Sequence, residues 1–277
     1  MIDNVYAGIV LYNPDLDRLY ENIHHIKKQV REIVLVDNST SSLDKSFLEE
    51  MGAIYISNAE NKGIAFALNQ ICEWGMTRGY EYALLLDQDS IASDDLVEKE
   101  LKHTGEEVSV VSPRIVYRNN EQFGEKREQG YEKVEWTITS GSMICLRIWK
   151  KLKGFDETLF IDGVDYDYGI RSNAAGYSVI RTFDTYLLQE LGNLKCRRMF
   201  GRVIYVTNHS ATRKYYMARN QIYLKYKLKQ GNPWKTIMQY LIKVILYEDE
   251  KSNKIRHIFK GVRDGIRMKS KIQAGSD

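Results

Sequence analysis

Short apolar runs alternate with segments of helical spacing over the first part of the chain. Four runs predict β-strands, at Val5–Leu11, Ile33–Val36, Ala53–Ile56 and Tyr82–Leu86. Between them, apolar residues at helical spacing predict helices over Leu16–Val30 and from Ile64 onward. Strands that alternate with helices in this way are typical of a parallel sheet with helices on both faces. The pattern therefore predicts an α/β fold with a Rossmann-like, mostly parallel sheet.

The pattern is less regular after about residue 105. We expect further strands and helices, with strands at Val108–Ser112, Ile115–Tyr117, Glu135–Cys145 and Val179–Thr182, and helices at Leu146–Leu152 and Tyr166–Gly176. The polar stretch Arg118–Glu132 predicts a loop or hairpin. From about Arg213 the spacing is mainly helical, so we predict a catalytic domain at residues 1–212 and a helical extension at 213–277.

Length and composition indicate a globular protein. The chain has 277 residues, of which 43% are hydrophobic and 28% charged, and this suits one large α/β domain with or without an appendage. It contains no uncharged apolar run long enough to span a bilayer, and its start lacks the basic and apolar regions of a signal peptide. Cys72, Cys145 and Cys196 lack metal-ligand spacing. We therefore expect reduced thiols and a cytoplasmic location.

The charge is distributed unevenly along the chain. Residues 195–277 carry 20 Lys or Arg and 5 Asp or Glu, a balance of +15, whereas residues 1–194 carry −12. Three interpretations suit such a basic extension: contact with an anionic membrane surface, binding of nucleic acid, or a solvated helical face.

A predicted strand that ends in two acids is the strongest chemical signal. Asp87-Gln88-Asp89 directly follows the apolar run Tyr82–Leu86. Carboxylates after a buried parallel strand lie at the edge where open α/β sheets bind ligands, and they can hold Mg²⁺ or Mn²⁺ against a diphosphate. Two other Asp-x-Asp pairs occur, and we expect Asp15/Asp17, after Pro14, to form a solvated turn or helix start.

Three other polar positions follow predicted strands. Asp37 either accepts hydrogen bonds from a nucleotide or caps the next helix. Tyr12 ends the first strand, and its ring either faces a base or covers the core. Asn61-Lys62-Gly63 opens a helix, where glycine permits close approach and the helix end attracts phosphate, although polar-Gly helix starts are common.

A third group of acids lies where a loop meets a predicted helix. Asp162, Asp165 and Asp167 are close in sequence, and Arg171 follows Asp167 by four positions. One acid could act as a general base for an incoming hydroxyl. The structural alternative is a helix cap with an acid–Arg pair one turn apart.

Missing motifs argue against kinases, NTPases and classical dinucleotide-binding enzymes, and no nucleophile motif is visible. The chain has no Gly-x-Ser-x-Gly, no Walker loop and no Gly-x-Gly-x-x-Gly. A nucleotidyltransferase needs a Gly-rich basic loop after the first strand, and Asn13-Pro14-Asp15 does not supply one. A nucleic-acid-binding protein that used the basic extension would not need these carboxylates, so we expect no nucleic-acid partner.

Taken in order, these motifs resemble the inverting family-two glycosyltransferases of the GT-A fold, and within them the bacterial rhamnosyltransferase group. The resemblance covers nearly the whole chain, through Val10–Pro14, Val36–Ser39, Asn61–Gly63, Leu86–Ser90, Thr139–Ser142, Gly154–Glu157, Phe160–Asp167, Arg213–Asn220 and Gly261 with Asp264-Gly265.

The resemblance implies a role for each candidate residue. Asp165 matches the catalytic base, with Val164 where the wider family often has Glu. Asp89 would coordinate the metal. Asp87 would contact the ribose or a metal-bound water. The donor would also contact Tyr12, Asp37, Asn61, Lys62 and Gly63, and the acceptor side would include Ser140, Gly141, Asp162, Asp167 and Arg171. Gln189 occupies the place of a family histidine, which puts the identity of the metal in question.

The resemblance also implies the partners. We expect dTDP-rhamnose as donor, with UDP-galactose or UDP-N-acetylglucosamine as alternatives, and a glycan or a polyprenyl-diphosphate-linked acceptor at the inner face of the cell membrane. The apolar face of Trp234–Tyr247 either lies on that membrane, covers the catalytic domain, or joins two copies in a homodimer.

Overall fold

The computed structural model describes residues 3–118, 124–189, 195–199 and 202–274. The strands are β1 Val5–Leu11, β2 Ile33–Asp37, β3 Ile54–Ser57, β4 Tyr82–Asp87, β5 Ile91–Ala92, β6 Val108–Tyr117, β7 Tyr131–Val134, β8 Ser142–Cys145, β9 Ser178–Gln189, β10 Lys195–Met199 and β11 Arg202–Val206. The helices are α1 Leu16–Ile26, α2 Lys45–Met51, α3 Ile64–Thr77, α4 Leu96–Leu101, α5 Leu146–Lys151, α6 Val164–Ala174, α7 Ala211–Leu228, α8 Pro233–Tyr247 and α9 Lys251–Ala274.

Nine of the strands in the described part of the chain form one sheet. Its order is β3-β2-β1-β4-β8-β6-β9-β5, and β7 also pairs with β9. Strands β1 to β4 are mutually parallel where they pair, as predicted. The other half is mixed, because β8 runs antiparallel to both β4 and β6 while β6 and β9 are parallel. The α/β class is therefore confirmed.

Helices cover both faces of the sheet at β1. Ile9 and Leu11 cluster with Leu19 and other buried residues of α1 on one face. On the opposite face, a Cβ atom added at Gly8 would lie 2.2 Å from Ile71 Cγ2 of α3. Only glycine allows α3 to pack so closely there. This two-sided burial explains why β1 is apolar throughout rather than alternating.

Several local predictions need correction. Residues 135–141 of the predicted strand Glu135–Cys145 are irregular, and the strand begins only at Ser142, because Gly141 has a left-handed φ of 76°. The two predicted strands before and after Pro113 form one strand, β6, with a shift in register near that proline. Strand β9 is longer than predicted, α1 ends at Ile26, and α2, α4, β5, β7, β10 and β11 were not predicted. Part of the predicted loop, residues 119–123, lies outside the described residues.

The chain divides into two compact units. The first lies within Met1–Thr158 and Val164–Glu190, and the second within Leu159–Gly163 and Leu191–Asp277. The second unit contains α7, α8 and α9, so the predicted helical C-terminus is confirmed. The functional boundary at residue 212 stays a prediction.

Close helix packing and a buried ion cluster hold the second unit together. A Cβ atom at Gly261 of α9 would lie 2.3 Å from the carbonyl oxygen of Tyr215 in α7, so glycine permits the two helices to touch. Glu248 is buried and accepts from Lys214 at 2.6 Å and from Lys254 at 3.0 Å. Among the described helices, none combines the length and the apolar character needed to cross a membrane.

Candidate active site

The carboxyl ends of three neighbouring parallel strands bring the first candidate residues together. Strand β1 lies between β2 and β4, with Leu11 opposite Asp37 and Val10 opposite Asp87. Adjacent strands are about 4.8 Å apart, so the Cα atoms of Asp37 and Asp87 are separated by about 10 Å. Tyr12, the residue after β1, is exposed between them. The sheet edge therefore assembles the three strand-end residues that the sequence indicated.

The turn after β4 presents two acids to solvent. Asp87 and Asp89 are both exposed, whereas Ser90 is fully buried. Gln88 lies between the acids and faces the end of β1, where its Oε1 accepts from the Tyr12 N–H at 2.8 Å. The Gln88 Nε2 donates to the Tyr12 carbonyl oxygen at 3.3 Å. The middle residue of the motif thus ties the acidic turn to the neighbouring strand.

Buried polar groups hold the same turn from beneath. The Ser140 hydroxyl accepts from the Asp87 N–H at 3.0 Å and lies 2.8 Å from the Ser90 hydroxyl. From the other side, Asn22 Nδ2 donates to the Asp87 carbonyl oxygen at 2.7 Å. Ser140 itself is buried and supports the turn after β4. Its acceptor-side role stays a prediction. An acceptor-side role for Gly141 stays a prediction; its N–H donates to the Leu85 carbonyl oxygen.

Asp37 is fully buried at the end of β2. Its Oδ1 accepts from the Ser39 N–H at 2.8 Å and its Oδ2 accepts from the Tyr55 hydroxyl at 2.7 Å. Burial and then this bond to Asp37 raise the pKa of Tyr55. The alternative that Asp37 caps the next helix is wrong, because Asp44 caps α2. The predicted contact of Asp37 with a nucleotide remains untested by this geometry.

Asn61, Lys62 and Gly63 form the turn that begins α3. The Gly63 N–H donates to Asn61 Oδ1 at 3.0 Å, and Gly63 has a φ of 89°, a conformation that favours glycine. The Gly63 carbonyl oxygen accepts from Asn38 Nδ2, which links this turn to the end of β2. Lys62 lies 3.7 Å from Glu60 at the surface. The turn therefore borders the end of β2, and its contact with a phosphate stays a prediction.

Asp165 lies in the first turn of α6 and is half-buried. Its Oδ1 accepts from the Tyr166 N–H at 2.9 Å. Asp165 lines a small cavity together with residues 137–139, and the next residue, Ser140, is the one that bonds to Asp87. One short segment therefore connects the candidate base with the acidic turn after β4.

Asp167 and Arg171 form an ion pair with each other, and the carboxylate of Asp167 is buried. Arg171 Nε donates to Asp167 Oδ2 at 2.7 Å, and Asp167 is fully buried. The other two guanidinium nitrogens donate to the carbonyl oxygens of Leu152 and Gly154, each at 2.7 Å. This geometry fits the structural alternative, since it fastens α6 to the turn after α5. The predicted acceptor contacts of both residues are left as predictions.

Asp162 belongs to the second compact unit. It has a φ of 66°, and its carboxylate receives two parallel donors from Arg213, with Nη2 at 2.9 Å from Oδ1 and Nε at 3.2 Å from Oδ2. Asn220 Nδ2 donates to the carbonyl oxygens of Ile161 and Asp162 at 2.8 and 2.7 Å. Helix α7 thereby fixes the loop at residues 159–163 within this unit.

Gln189 ends β9 beside the acidic turn. Ile91 of β5 is opposite Leu188 of β9 in an antiparallel pair, so the register continues with Gln189 opposite Ser90. The residue after Asp89 therefore faces the position where the family often has a histidine. The rest of that matching segment, residues 190–192, lies outside the described residues.

The donor set around β4 suits a hard cation that is shared with a phosphate ligand. Within residues 3–118, 124–189, 195–199 and 202–274, no three His, Cys, Asp or Glu side chains are grouped closely enough to hold a metal. Mg²⁺, however, is commonly held by one or two carboxylates while substrate phosphates and water supply the remaining ligands. Asp87 and Asp89, both exposed at one strand end, fit that mode.

Four residues that support the site were not predicted to do so. Gln88 and Ser90 belong to the motif Leu86–Ser90 without an assigned role, and no prediction was made for Asn22 and Tyr55. Asn22 did carry a local signal, because it is a polar residue between the apolar positions Leu19 and Ile23 of an amphipathic helix. The partners of Tyr55 and Ser90 depend on contacts distant in sequence and carry no such signal.

Comparison with known proteins places this geometry in context. The family model described as Glycosyl transferase family 2 matches residues 6–168. The dTDP-rhamnosyl transferase RfbF of Shigella flexneri is 28% identical, over 96% of this chain and 97% of its own.

Two solved structures share the fold. The structure of GalNAc-T7 with UDP, GalNAc and Mn²⁺ has a TM-score of 0.61 and 13% identity, over 96% of this chain and 56% of that one. The structure of S. aureus TarS has a TM-score of 0.52 and 12% identity, over 94% of this chain and 70% of that one. Both are GT-A glycosyltransferases, and the predicted GT-A fold is confirmed.

Proposed function

The chain belongs to glycosyl transferase family 2, and from this premise we propose that it transfers rhamnose from dTDP-rhamnose to a hydroxyl group of a glycan, with inversion at the anomeric carbon. The family membership, predicted from the motifs, is confirmed. The choice of donor is supported by the Shigella flexneri relative, a dTDP-rhamnosyl transferase that matches this chain over nearly its full length.

A single observation carries the proposal. Asp87 and Asp89 are exposed at the carboxyl end of β4, and Asp165 lines a cavity with the segment whose next residue, Ser140, bonds to the Asp87 N–H. Acids suited to holding a cation against a diphosphate and an acid suited to proton removal are thus connected through one short segment. Transfer from a nucleotide sugar needs both kinds of group in one site.

In this proposal the donor binds across the ends of β1, β2 and β4. Tyr12 is exposed at the end of β1 and covers the base, while the buried Asp37 orders the loop that meets the ribose. Asn61, Lys62 and Gly63 border the same edge at the start of α3, where N–H groups and a lysine attract phosphate.

A divalent ion, Mg²⁺ or Mn²⁺, would be held by Asp89. Asp87 lies in the same turn, and Gln189 lies at the end of β9 opposite the residue after Asp89. When bound, such an ion supplies positive charge against the diphosphate. One solved relative contains Mn²⁺ with UDP, which supports this choice of ion.

The chain's own contribution to the reaction is a proton transfer. Asp165 accepts the proton of the acceptor hydroxyl, and the freed electron pair on that oxygen forms the new bond to the anomeric carbon. The bond from that carbon to the diphosphate oxygen breaks at the same time, and the leaving group keeps the electron pair. A single displacement of this kind inverts the anomeric configuration.

The acceptor in this proposal is a glycan carried on a polyprenyl diphosphate at the inner face of the cell membrane. Helix α8 provides a surface for that membrane, because Trp234, Met238 and Ile242 are each about half exposed on it and its charged residues are Lys235 and Lys243. An apolar face flanked by lysines suits an anionic lipid surface better than a second copy of the same basic unit.

The decisive experiment is a donor screen. Purified protein is incubated with Mn²⁺ and each of dTDP-rhamnose, UDP-galactose and UDP-N-acetylglucosamine, and both thermal stabilisation and transfer to a membrane lipid extract are measured. We expect stabilisation and transfer with dTDP-rhamnose. Selective transfer from a UDP-sugar would replace the donor, and no transfer from any nucleotide sugar would contradict the activity itself.

A further inference from the structure

One exposed aromatic residue packs against the helix that carries the candidate base and has no role in the mechanism above. Trp136, in the irregular segment between β7 and β8, has 40% of its surface exposed to solvent. Its ring meets that of Tyr166 edge to face, with centroids 5.9 Å apart and planes at 76°. Tyr166 directly follows Asp165. The exposed indole therefore contacts Tyr166, the residue that follows the candidate base in the chain.

Helix α6 fixes the backbone on which this indole is mounted. Asn173 Nδ2 donates to the Glu135 carbonyl oxygen at 2.9 Å. At Gly169, an added Cβ atom would lie 2.7 Å from Trp136 Cα and 2.8 Å from the Glu135 carbonyl oxygen, so glycine lets the two segments touch. The same helix thus carries Asp165 and holds Trp136 in place. A large aromatic on a fixed backbone loses little conformational freedom when a ligand covers it.

We propose that Trp136 is the platform for the acceptor sugar, with the apolar face of a pyranose ring stacked on the exposed indole. The inference rests on the proposed function and adds a carbohydrate subsite to it. One face of many pyranoses presents C–H groups, which carry partial positive charge, and the indole face is negative. A sugar ring stacked there leaves its rim hydroxyls free to approach Asp165. The neighbouring segment at residues 137–139 already lines a cavity with that acid.

The exposure of Trp136 separates this role from a purely structural one. A tryptophan that served only to fill the interior would be covered, as Trp149 is at 6% exposure. Tyr131 of β7 is a suitable comparison, because it is also a largely exposed aromatic in the same unit. The Tyr131 ring instead contacts His103, with centroids 5.0 Å apart.

The test compares Trp136→Ala with Trp136→Phe and with the control Tyr131→Ala. Saturation-transfer NMR with methyl α-rhamnopyranoside and methyl β-N-acetylglucosaminide, in the presence of dTDP, reports sugar contact directly. We expect the signal to be lost in Trp136→Ala, partly kept in Trp136→Phe and unchanged in the control. For any glycoside that serves as acceptor, the acceptor KM should rise about tenfold in Trp136→Ala while the donor KM stays constant.

The outcomes separate this inference from the proposed function. Equal sugar signals in the wild type and Trp136→Ala, or a rise in donor KM equal to the rise in acceptor KM, would overturn the platform. Trp136-dependent sugar contact without transfer from any nucleotide sugar would support the platform and refute the glycosyl transfer. A circular dichroism melt of each variant shows whether the fold is retained, and Trp136→Phe keeps the test valid where the alanine variant unfolds.

Discussion

The side-chain amide of Gln88 makes two hydrogen bonds to the backbone of Tyr12, a residue 76 positions earlier in the chain. These two hydrogen bonds join the end of β4 to the end of β1, just beyond the backbone hydrogen bonds that pair the two strands. The two exposed acids, Asp87 and Asp89, are the sequence neighbours of Gln88, so these bonds hold the turn that carries them against β1. The orientation of the acidic turn therefore depends on a side chain that itself has no acid–base chemistry.

Replacement of Gln88 by Ala should weaken donor binding. The loss of two backbone bonds frees the turn that carries Asp87 and Asp89, and we expect the donor KM to rise about three- to tenfold. Steady-state kinetics with the donor varied measures this. Gln29→Ala is the matched control, because Gln29 also bonds two backbone groups, the Ser93 carbonyl oxygen and the Val97 N–H. Equal donor KM changes in both variants would refute the assigned role of Gln88.

Asp165→Asn should abolish transfer and leave donor binding intact. The amide has nearly the shape of the carboxylate but cannot accept the acceptor's proton, so kcat should fall by at least about 10²-fold. Isothermal titration with dTDP-rhamnose should give the wild-type affinity. Asp167→Asn is not a suitable control, since Asp167 is buried against Arg171 and its loss would disturb the fold. Full turnover by Asp165→Asn would remove Asp165 from the mechanism.

Asp89→Ala should make donor binding insensitive to divalent ions. In the wild type, a chelator should lower donor affinity, whereas the variant should bind weakly with or without it. The control is Asp17→Ala, which removes an acid from the first Asp-x-Asp pair. There, Asp15 caps α1 by accepting from the Asp17 and Arg18 N–H groups, as the sequence indicated for a helix start. The metal role fails if chelator leaves wild-type affinity unchanged.

Stability should fall as pH rises above about 4, because one buried acid keeps its proton only in the folded protein. Glu100 of α4 is fully buried, and neither carboxyl oxygen has a hydrogen-bond partner among the described residues. Burial raises the pKa of Glu100 well above its ordinary value, so the folded protein keeps a proton that the unfolded chain releases near pH 4.3. The contribution is thus complete below that pH and is lost as pH rises through the folded pKa.

The measurement for Glu100 is urea unfolding from about pH 4 to alkaline pH. Glu100→Gln keeps the shape but removes the titration, so the variant should gain stability relative to wild type as pH rises. Glu98→Gln is the control on the same helix. Glu98 is exposed and bonds to Lys102, and its pKa is lowered rather than raised, which predicts no such gain. Parallel pH curves for wild type and Glu100→Gln would contradict the prediction.

The exposed face of α8 should bind anionic vesicles. Ile242→Glu removes an apolar group from that face, and co-sedimentation with vesicles of phosphatidylcholine and phosphatidylglycerol should fall about tenfold. Gln239→Glu adds the same charge to another exposed position of the helix and should retain most binding. Vesicles of phosphatidylcholine alone should bind less protein.

Light scattering distinguishes the alternative for α8. If Ile242→Glu converts a dimer to a monomer while vesicle binding is the same as in wild type, the face joins two copies and the membrane role is wrong. Transfer to a water-soluble acceptor should be equal in wild type, Ile242→Glu and Gln239→Glu, because none of these positions belongs to the site.

The amino-acid sequence by itself determined the parallel half of the sheet and the edge at which the candidate residues gather. Apolar runs with turn residues at their ends specify β1, β2 and β4 through local preferences. Parallel strands must then bring their carboxyl ends to one side, which groups Tyr12, Asp37 and Asp87. The order of the motifs sufficed to identify the family, because each motif is a short local segment.

Tertiary structure alone decided how these residues are used. Asp37 is buried on Tyr55, Ser140 supports the Asp87 turn from 53 positions away, and Arg171 fastens α6 to the turn after α5. The backbone of Trp136 packs against the helix of the candidate base because Gly169 leaves room for it. Such relationships join residues far apart in sequence, and their energy comes from packing and burial. Local propensity determines neither the long-range contacts nor the burial. The sequence pattern could therefore indicate where the candidate site lies, but not which side chains support it.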